Sequence, residues 1–198
     1  MPLLSILEPK EAKRFDSPPA YTKQERLVNF QLPPALKRSV SHMKEDVSKV
    51  CFLIQYAYFK TNARFYSQAK FRKRDITYAC NLVGCNEVDI STYNSKTCNK
   101  HRIKLLEYRG WRQFNENHRP ILVAFAEKQA SHQSEPRLIL KGLVDLCWDN
   151  QITVPSYELL TKIITEAFNT TEHALLSRID QALSGAHRQK LNALLDPG

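Results

Sequence analysis

Between residues 60 and 112 stand twelve basic side chains: Lys60, Arg64, Lys70, Arg72, Lys73, Arg74, Lys96, Lys100, Arg102, Lys104, Arg109 and Arg112. Only Asp75, Glu87, Asp89 and Glu107 oppose them there. A guanidinium can fork two donors onto phosphate oxygens or onto a guanine edge. A lysine brings a compact charge on a flexible stem. Lys96, Lys100 and Lys104 recur every four residues, so any helix that holds them shows all three on one face. Arg72, Lys73 and Arg74 stand just before an expected helix start, where free backbone N–H groups also favour a phosphate. The chemistry this pattern suits is the binding of a polyanion. The competing reading of each residue is ordinary solvated surface charge.

A second constellation is Cys80, Cys85, Cys98 and His101, whose spacing resembles a zinc-ligand set. It lacks the tight two-residue knuckle, and Cys80 falls in the middle of an expected helix. Cys51 and Cys147 show that this chain uses cysteine as a small core residue, so no metal is expected. No GxxxxGK[ST], GxSxG or HExxH is present. The remaining histidines lack a visible nucleophile or ligand partner. Asp75, Asp145 and Asp149 could meet in space, but carboxylates on a helical scaffold are usually caps or surface groups. No cofactor, small-molecule substrate or catalytic residue is expected.

The 198 residues include 29 Lys/Arg and 20 Asp/Glu, a formal net charge of +9. Residues 1–120 hold 22 basic and 11 acidic residues; residues 121–198 hold 7 and 9. The excess positive charge therefore lies in the first three-fifths, as expected of a polyanion-binding part joined to a scaffold. The chain is 42% hydrophobic with only 5 Gly, which favours helices over a turn-dense β fold. No apolar run reaches the roughly 18 residues that a membrane span needs. Five Cys without a disulfide framework point to a reducing cytoplasm.

The elements that must carry the basic residues read as helices. Short ones are expected at 9–15, behind the Thr22–Glu25 capping box, and at 34–40. The first long helix runs from Lys44 to about Asn62, with apolar residues on two faces, and is central in a bundle. Its aromatic end, YAYFKTNARFY (56–66), reads as core packing of the rings with Lys60 and Arg64 aimed outward. A connector covers 63–71, and a helix from about Arg74 to Val83 stops at Gly84. A short helix near 87–93 would complete a helix-turn-helix over 75–93, with Cys80, Gly84 and Ile90 at the packing and turn positions. Any helix–Gly–helix corner in a bundle has the same pattern. Helices at 95–109, from Asn115 or Asn117 to about Gln133, from Pro136 to near Asn150, and from Pro155 to near Phe168 follow. Two short helices opening near Thr171 and Ser184 close the chain. The expected class is all-α, a multi-helix bundle of two subdomains, 1–112 basic and 113–198 near neutral.

Several blocks occur in order along this chain: SILEPKEAKRFDSPP, KEDVSKVCFLIQYAYFKTNARFY, FRKRDITYACNLVG, YNSKTCNKHRIKLLEYRGWRQF, PSYELLTKII and HRQKLNALLD. They resemble the N-terminal region of the large transposases of the Tn-three family of replicative transposons. Family members often have Leu-Gly where this sequence has Tyr56-Ala57, a departure that alters a packing surface. The resemblance implies a helical region that binds the terminal inverted repeats of the element in double-stranded DNA. It also implies a catalytic RNase-H-like domain with an acidic triad far downstream, so that these residues are an N-terminal fragment with no catalytic role. The expected DNA-binding residues are Lys60, Arg64, Arg72, Lys73, Arg74, Lys96, Lys100, His101, Arg102, Lys104, Arg109 and Arg112. Implied partners are duplex DNA, other domains of the same transposase and, in the full-length protein, a second copy. The implied location is the bacterial cytoplasm, on the nucleoid when DNA-bound. Two other readings stay open, a protein–protein assembly module and a helical RNA-binding protein.

Overall fold

A run of ten residues, Val50 to Phe59, is buried without exception in the computed structural model, which describes residues 3–132 and 134–183 together with Gly185 and Lys190. The run is apolar on every side except at Gln55, so its helix must lie in the middle of the others. In chain order the helices are α1 (Pro9–Phe15), α2 (Lys23–Asn29), α3 (Pro34–Ser41), α4 (Asp46–Asn62), α5 (Lys73–Val83), α6 (Ser95–Arg109), α7 (Arg119–Ser131), α8 (Pro136–Asp149) and α9 (Tyr157–Ala182). Single 3₁₀ turns occur at Gln68–Lys70, Ile90–Thr92 and Glu116–His118. The only β pairing among the described residues is an isolated parallel bridge between Arg112 and Ile152. The protein is all-α, a multi-helix bundle.

Two compact units divide the chain. One comprises Leu7–Glu116 and Val144–Tyr157, the other Met1–Ile6, Asn117–Leu143 and Glu158–Gly198. The first unit carries a formal charge of +8 (21 Lys/Arg against 13 Asp/Glu); the second carries +1 (8 against 7).

In the first unit α2, α3, α5 and α6 pack around α4. The single polar group inside α4 is satisfied on one side, where Gln55 Nε2 donates to the Tyr66 carbonyl at 3.1 Å. The aromatic end of α4 is core. Tyr58 meets the edges of Tyr66 and Phe71, and Phe59 is stacked on Phe65 and meets Trp111 edge-on. Such pairs add to simple area burial. α4 ends at Ala63, which is fully buried and takes the left-handed conformation, φ 51. That turn points the next residue back into the unit. α5 and α6 stop at Gly84 and Gly110, both left-handed, where a side chain would be strained.

In the second unit Leu122, Ala126 and Ala130 of α7, Ile139, Leu140 and Leu143 of α8 and Leu160, Ile163, Ile164 and Ala167 of α9 form the core. A Cβ added to Gly142 would lie 2.6 Å from Phe125 Cζ, so a larger residue there would have to displace the Phe125 ring.

Three expectations are corrected. No helix forms after Gly84 to complete a helix-turn-helix over 75–93. Only the 3₁₀ turn Ile90–Thr92 is found, because the Asp89 carboxylate accepts from the Ser91 N–H and hydroxyl and closes a local turn instead. No break separates 168 from 171, since α9 runs through. The capping-type residue Thr171 turns its hydroxyl back to the Ala167 carbonyl at 2.9 Å and leaves the helix intact. α9 also begins at Tyr157 rather than Pro155. The helix expected at Ser184 and the HRQKLNALLD block lie outside the described residues, Gly185 and Lys190 excepted.

Because Phe59 joins Phe65, Trp111 and the α4 core, Phe59→Ala should destabilise the protein by about 3–5 kcal/mol. Urea unfolding followed by tryptophan fluorescence measures it; a loss under about 1 kcal/mol would refute the packing role.

Candidate nucleic-acid interface

α6 is set by its ends. Asn94 Oδ1 accepts from the Thr97 N–H at 2.8 Å, and Gly110 releases the chain after the 15 residues of the helix. Cys98, His101, Leu105 and Leu106 face the core. Lys96, Lys100 and Lys104 are exposed on the opposite side, each about 40° further round the helix than the last. Lys73 and Arg74 are exposed in the first turn of α5. None of these five makes an ion pair among the described residues. α5 and α6 both pack on α4, so one rigid element holds both basic groups.

The remaining candidates are engaged with the protein to different degrees. Arg112 is exposed, and its Nη2 donates to the Asn150 carbonyl at 3.3 Å. Arg72 is exposed, yet its Nε and Nη2 both donate to the Pro18 carbonyl, at 3.2 and 2.8 Å. Lys60 is half-buried, with Nζ 3.2 Å from the Val28 carbonyl. Arg109 is half-buried over the rings of Phe59 and Trp111. Arg102 is half-buried, lies over Phe65 and donates from Nη2 to the Tyr66 carbonyl at 3.2 Å.

Two candidates are withdrawn from any outer surface. Arg64 is 7% exposed. Its Nε donates to the Val154 carbonyl at 3.1 Å, its Nη1 to the Phe15 carbonyl and to Asp16 at 2.8 Å each, and its Nη2 to the Pro155 carbonyl. The guanidinium also lies 4.3 Å over the Phe15 ring. Burial lowers its pKa, and Asp16 opposes that effect. Four of its five N–H donors are thus spent on acceptors of its own chain. The spacing of Lys60 and Arg64 had suggested one outward face, but α4 ends at Asn62 and the left-handed Ala63 breaks the register.

His101 is also buried. Its Nδ1 lies 2.7 Å from the Tyr93 hydroxyl, and its ring meets Phe52 edge-on. Burial, with Lys104 adding repulsion, pushes its pKa down to about 4. Cys51, Cys80, Cys98 and Cys147 are buried, and Cys85 is half-buried. Burial pushes the Cys51 thiol up to about 12 and the Cys80 and Cys147 thiols up to about 11. No group of three His, Cys, Asp or Glu among the described residues could hold a metal ion.

Sequence reasoning missed one polar site. Asp75, weighed as a cap or surface group, is fully buried and paired with Arg26 Nε at 2.7 Å. Its other oxygen accepts from the Tyr58 hydroxyl at 2.7 Å, and that hydroxyl accepts from the Arg72 N–H at 3.1 Å. A signal was available in Tyr58, a buried phenol that needs a partner, but nothing in the spacing singled out Arg26.

Fold and surface together define an all-helical domain that presents cationic side chains from a helix hub. No helix among the described residues is long and apolar enough to cross a membrane. The chain belongs to a family described as a domain of unknown function, DUF4158, which matches residues 6–167. No curated protein matches it.

The His101 pKa sets a pH dependence. Folded His101 titrates near 4 and unfolded histidine near 6.5, so the unfolded chain binds the proton more readily in between. Stability from this group is complete above pH of about 6.5 and is lost as pH falls toward 4, by about 2 kcal/mol with allowance for residual solvent screening. Urea midpoints between pH 6.5 and 5 should fall in the wild type, and the slope should flatten in His101→Gln. Equal slopes would remove the assignment.

Proposed function

We propose that the basic unit binds double-stranded DNA, in the manner of the N-terminal region of a Tn-three family transposase that recognises the element's terminal inverted repeats. The observation that carries this reading is the set of exposed cations that make no ion pair among the described residues, Lys96, Lys100 and Lys104 on α6 and Lys73 and Arg74 on α5. They concentrate in a unit of net charge +8. The transposase setting is supported by the ordered sequence blocks, most of which fall within the residues 6–167 that the family model matches. Within this reading the lysines and Lys73 hold phosphates and set register, while Arg74 and Arg112 are the arginines best exposed to reach a base edge. The fragment has no catalytic role, needs no cofactor, and works in the bacterial cytoplasm on the nucleoid.

The test is fluorescence anisotropy with the element's end sequence and with random duplex across a salt series. The end sequence should bind more tightly at every salt concentration. The triple variant Lys96→Gln, Lys100→Gln, Lys104→Gln should lower the slope of log affinity against log salt by about 2–3. Equal affinity for both duplexes would sink sequence recognition, and an unchanged slope would remove α6 from the interface.

A second reading, an assembly module, draws on the outer part of α9, where Leu175, Leu176 and Ile179 are all exposed. Under that reading, light scattering at high salt and without DNA gives a dimer that Leu176→Glu dissolves; a monomer rejects it. An RNA-binding reading would have to use other rings than Phe52, Tyr56, Tyr58 and Phe59, which are buried.

A further inference from the structure

A cleft of about 620 Å³ opens beside α6 within the first unit, bounded by the connector after α4, one face of α6 and the strand-like residues 153–156. Its size falls in the range of small-molecule sites, about 300–1,000 Å³. Two kinds of wall meet there. Phe65, Ile103, Leu106 and Val154 give an apolar side. Arg102 and Lys70 give a cationic one, because the charge of Arg64 at the back is paired with Asp16.

Arg102 is the distinctive member. Its Nη2 is committed to the Tyr66 carbonyl, its Nε is shielded from solvent, and its Nη1 makes no hydrogen bond among the described residues. The guanidinium lines the cleft, where an anionic oxygen on Nη1 would form a charge-assisted bond. Lys70 Nζ stands at the exposed rim, 3.2 Å from the Asp16 carbonyl, and can swing to a second oxygen of the same anion. Beneath Arg102 the Phe65 ring is itself stacked on Phe59, at 4.6 Å and 15°. The guanidinium carbon is 5.6 Å from the Phe65 ring centre, so the cationic and apolar walls adjoin, and an anion that carries an aromatic heterocycle meets both. A bare phosphate would leave the apolar wall unused, and an apolar ligand would leave the Arg102 and Lys70 charges unmatched.

The geometry points to a single-nucleotide pocket: a phosphate group held by Arg102 and Lys70, with its base against Phe65, Ile103 and Leu106. The occupant is either a free nucleotide or an unpaired nucleotide of a bound strand. By helical geometry the cleft face of α6, with Asn99 and Arg102, adjoins the face that carries Lys96 and Lys100. A strand held by those lysines therefore runs near the cleft. The second source rests on the DNA-binding reading; the first does not.

The experiment is isothermal titration of the full chain with deoxyadenosine 5′-monophosphate, deoxyadenosine and inorganic phosphate. The monophosphate should bind saturably and about tenfold more tightly than either part alone. Arg102→Gln should weaken it about tenfold, and Lys70→Gln by a few-fold. Lys70 is exposed, so its variant folds and keeps the test open if Arg102→Gln does not. A second arm compares a fully paired duplex with one carrying a single unpaired nucleotide. A gain of about tenfold for the latter, lost on adding the monophosphate, assigns the pocket to a strand nucleotide. Monophosphate binding without that gain assigns it to a free nucleotide. The proposal is overturned if neither ligand binds, if inorganic phosphate binds as well as the nucleotide, or if binding ignores both substitutions. Duplex affinity in the triple lysine variant is read separately, so loss of the pocket and loss of DNA binding are distinct results.

Discussion

One buried guanidinium organises the basic unit. Arg64 reaches three separate stretches of chain, the end of α1 through Phe15 and Asp16, the close of α4 at its own position, and the Val154–Pro155 segment. Asp16 completes the arrangement, because its carboxylate accepts the Tyr157 N–H at 3.0 and 3.3 Å as well as the Arg64 donor. A buried charge is tolerated only when its hydrogen bonds are met. Here three carbonyls and a carboxylate meet them, and none is in a regular helix interior. Removing the guanidinium would leave those acceptors shielded together and without their donor. The chain returning at 144–157 therefore belongs to the unit that holds residues 7–116, across a long separation in sequence. The Val154 N–H bond to the Ala63 carbonyl, at 2.9 Å, fastens the same junction at the backbone.

The second buried charge works in parallel. Asp75 joins α5 to α2 through Arg26 and to α4 through Tyr58, while Arg26 Nη2 also holds the Tyr21 carbonyl at 3.0 Å. Hydrophobic contact alone would allow α5 to slide or turn along α4. Directional bonds at a buried carboxylate select one register, since any other strands the charge. That register places Arg72, Lys73 and Arg74, immediately before Asp75, at the surface where α5 begins. The orientation of an outward basic cluster is thus decided by an inward acid next to it.

This arrangement explains which parts of the protein were legible in the sequence. Thr22 and Glu25 form the reciprocal cap their spacing announces, and Gly84 and Gly110 end their helices in the left-handed conformation. The α4 aromatics are buried, as a helix apolar on every side requires. Such features depend on neighbours within a few residues. Arg64 failed because its partners lie 48 to 91 residues away and are mostly backbone carbonyls, which leave no mark in side-chain pattern. Asp75 failed for a similar reason, with Arg26 49 residues distant. The missing second helix after Gly84 and the uninterrupted α9 show a different limit. Asp89 and Thr171 both have side chains that can cap a helix, start a turn or bond back to their own backbone. Local sequence does not choose among those uses.

The consequence for function is that counting basic residues overstates the charge a partner could meet. Arg64 spends its charge in the core, and Arg72 spends two donors on the Pro18 carbonyl. Arg109 lies across aromatic rings, where its stem adds packing whatever its head contacts. The lysines of α6 and the Lys73–Arg74 pair have no such duties. A division follows, in which arginines near the hub build the scaffold and cations one helical face away remain free to act. Arg102 stands between the groups, with one nitrogen bonded to the connector backbone and another shielded without an acceptor. A residue placed so belongs to the scaffold through one nitrogen and to the cleft through the rest of its guanidinium. That position gives Arg102 a claim to function that its charge alone would not.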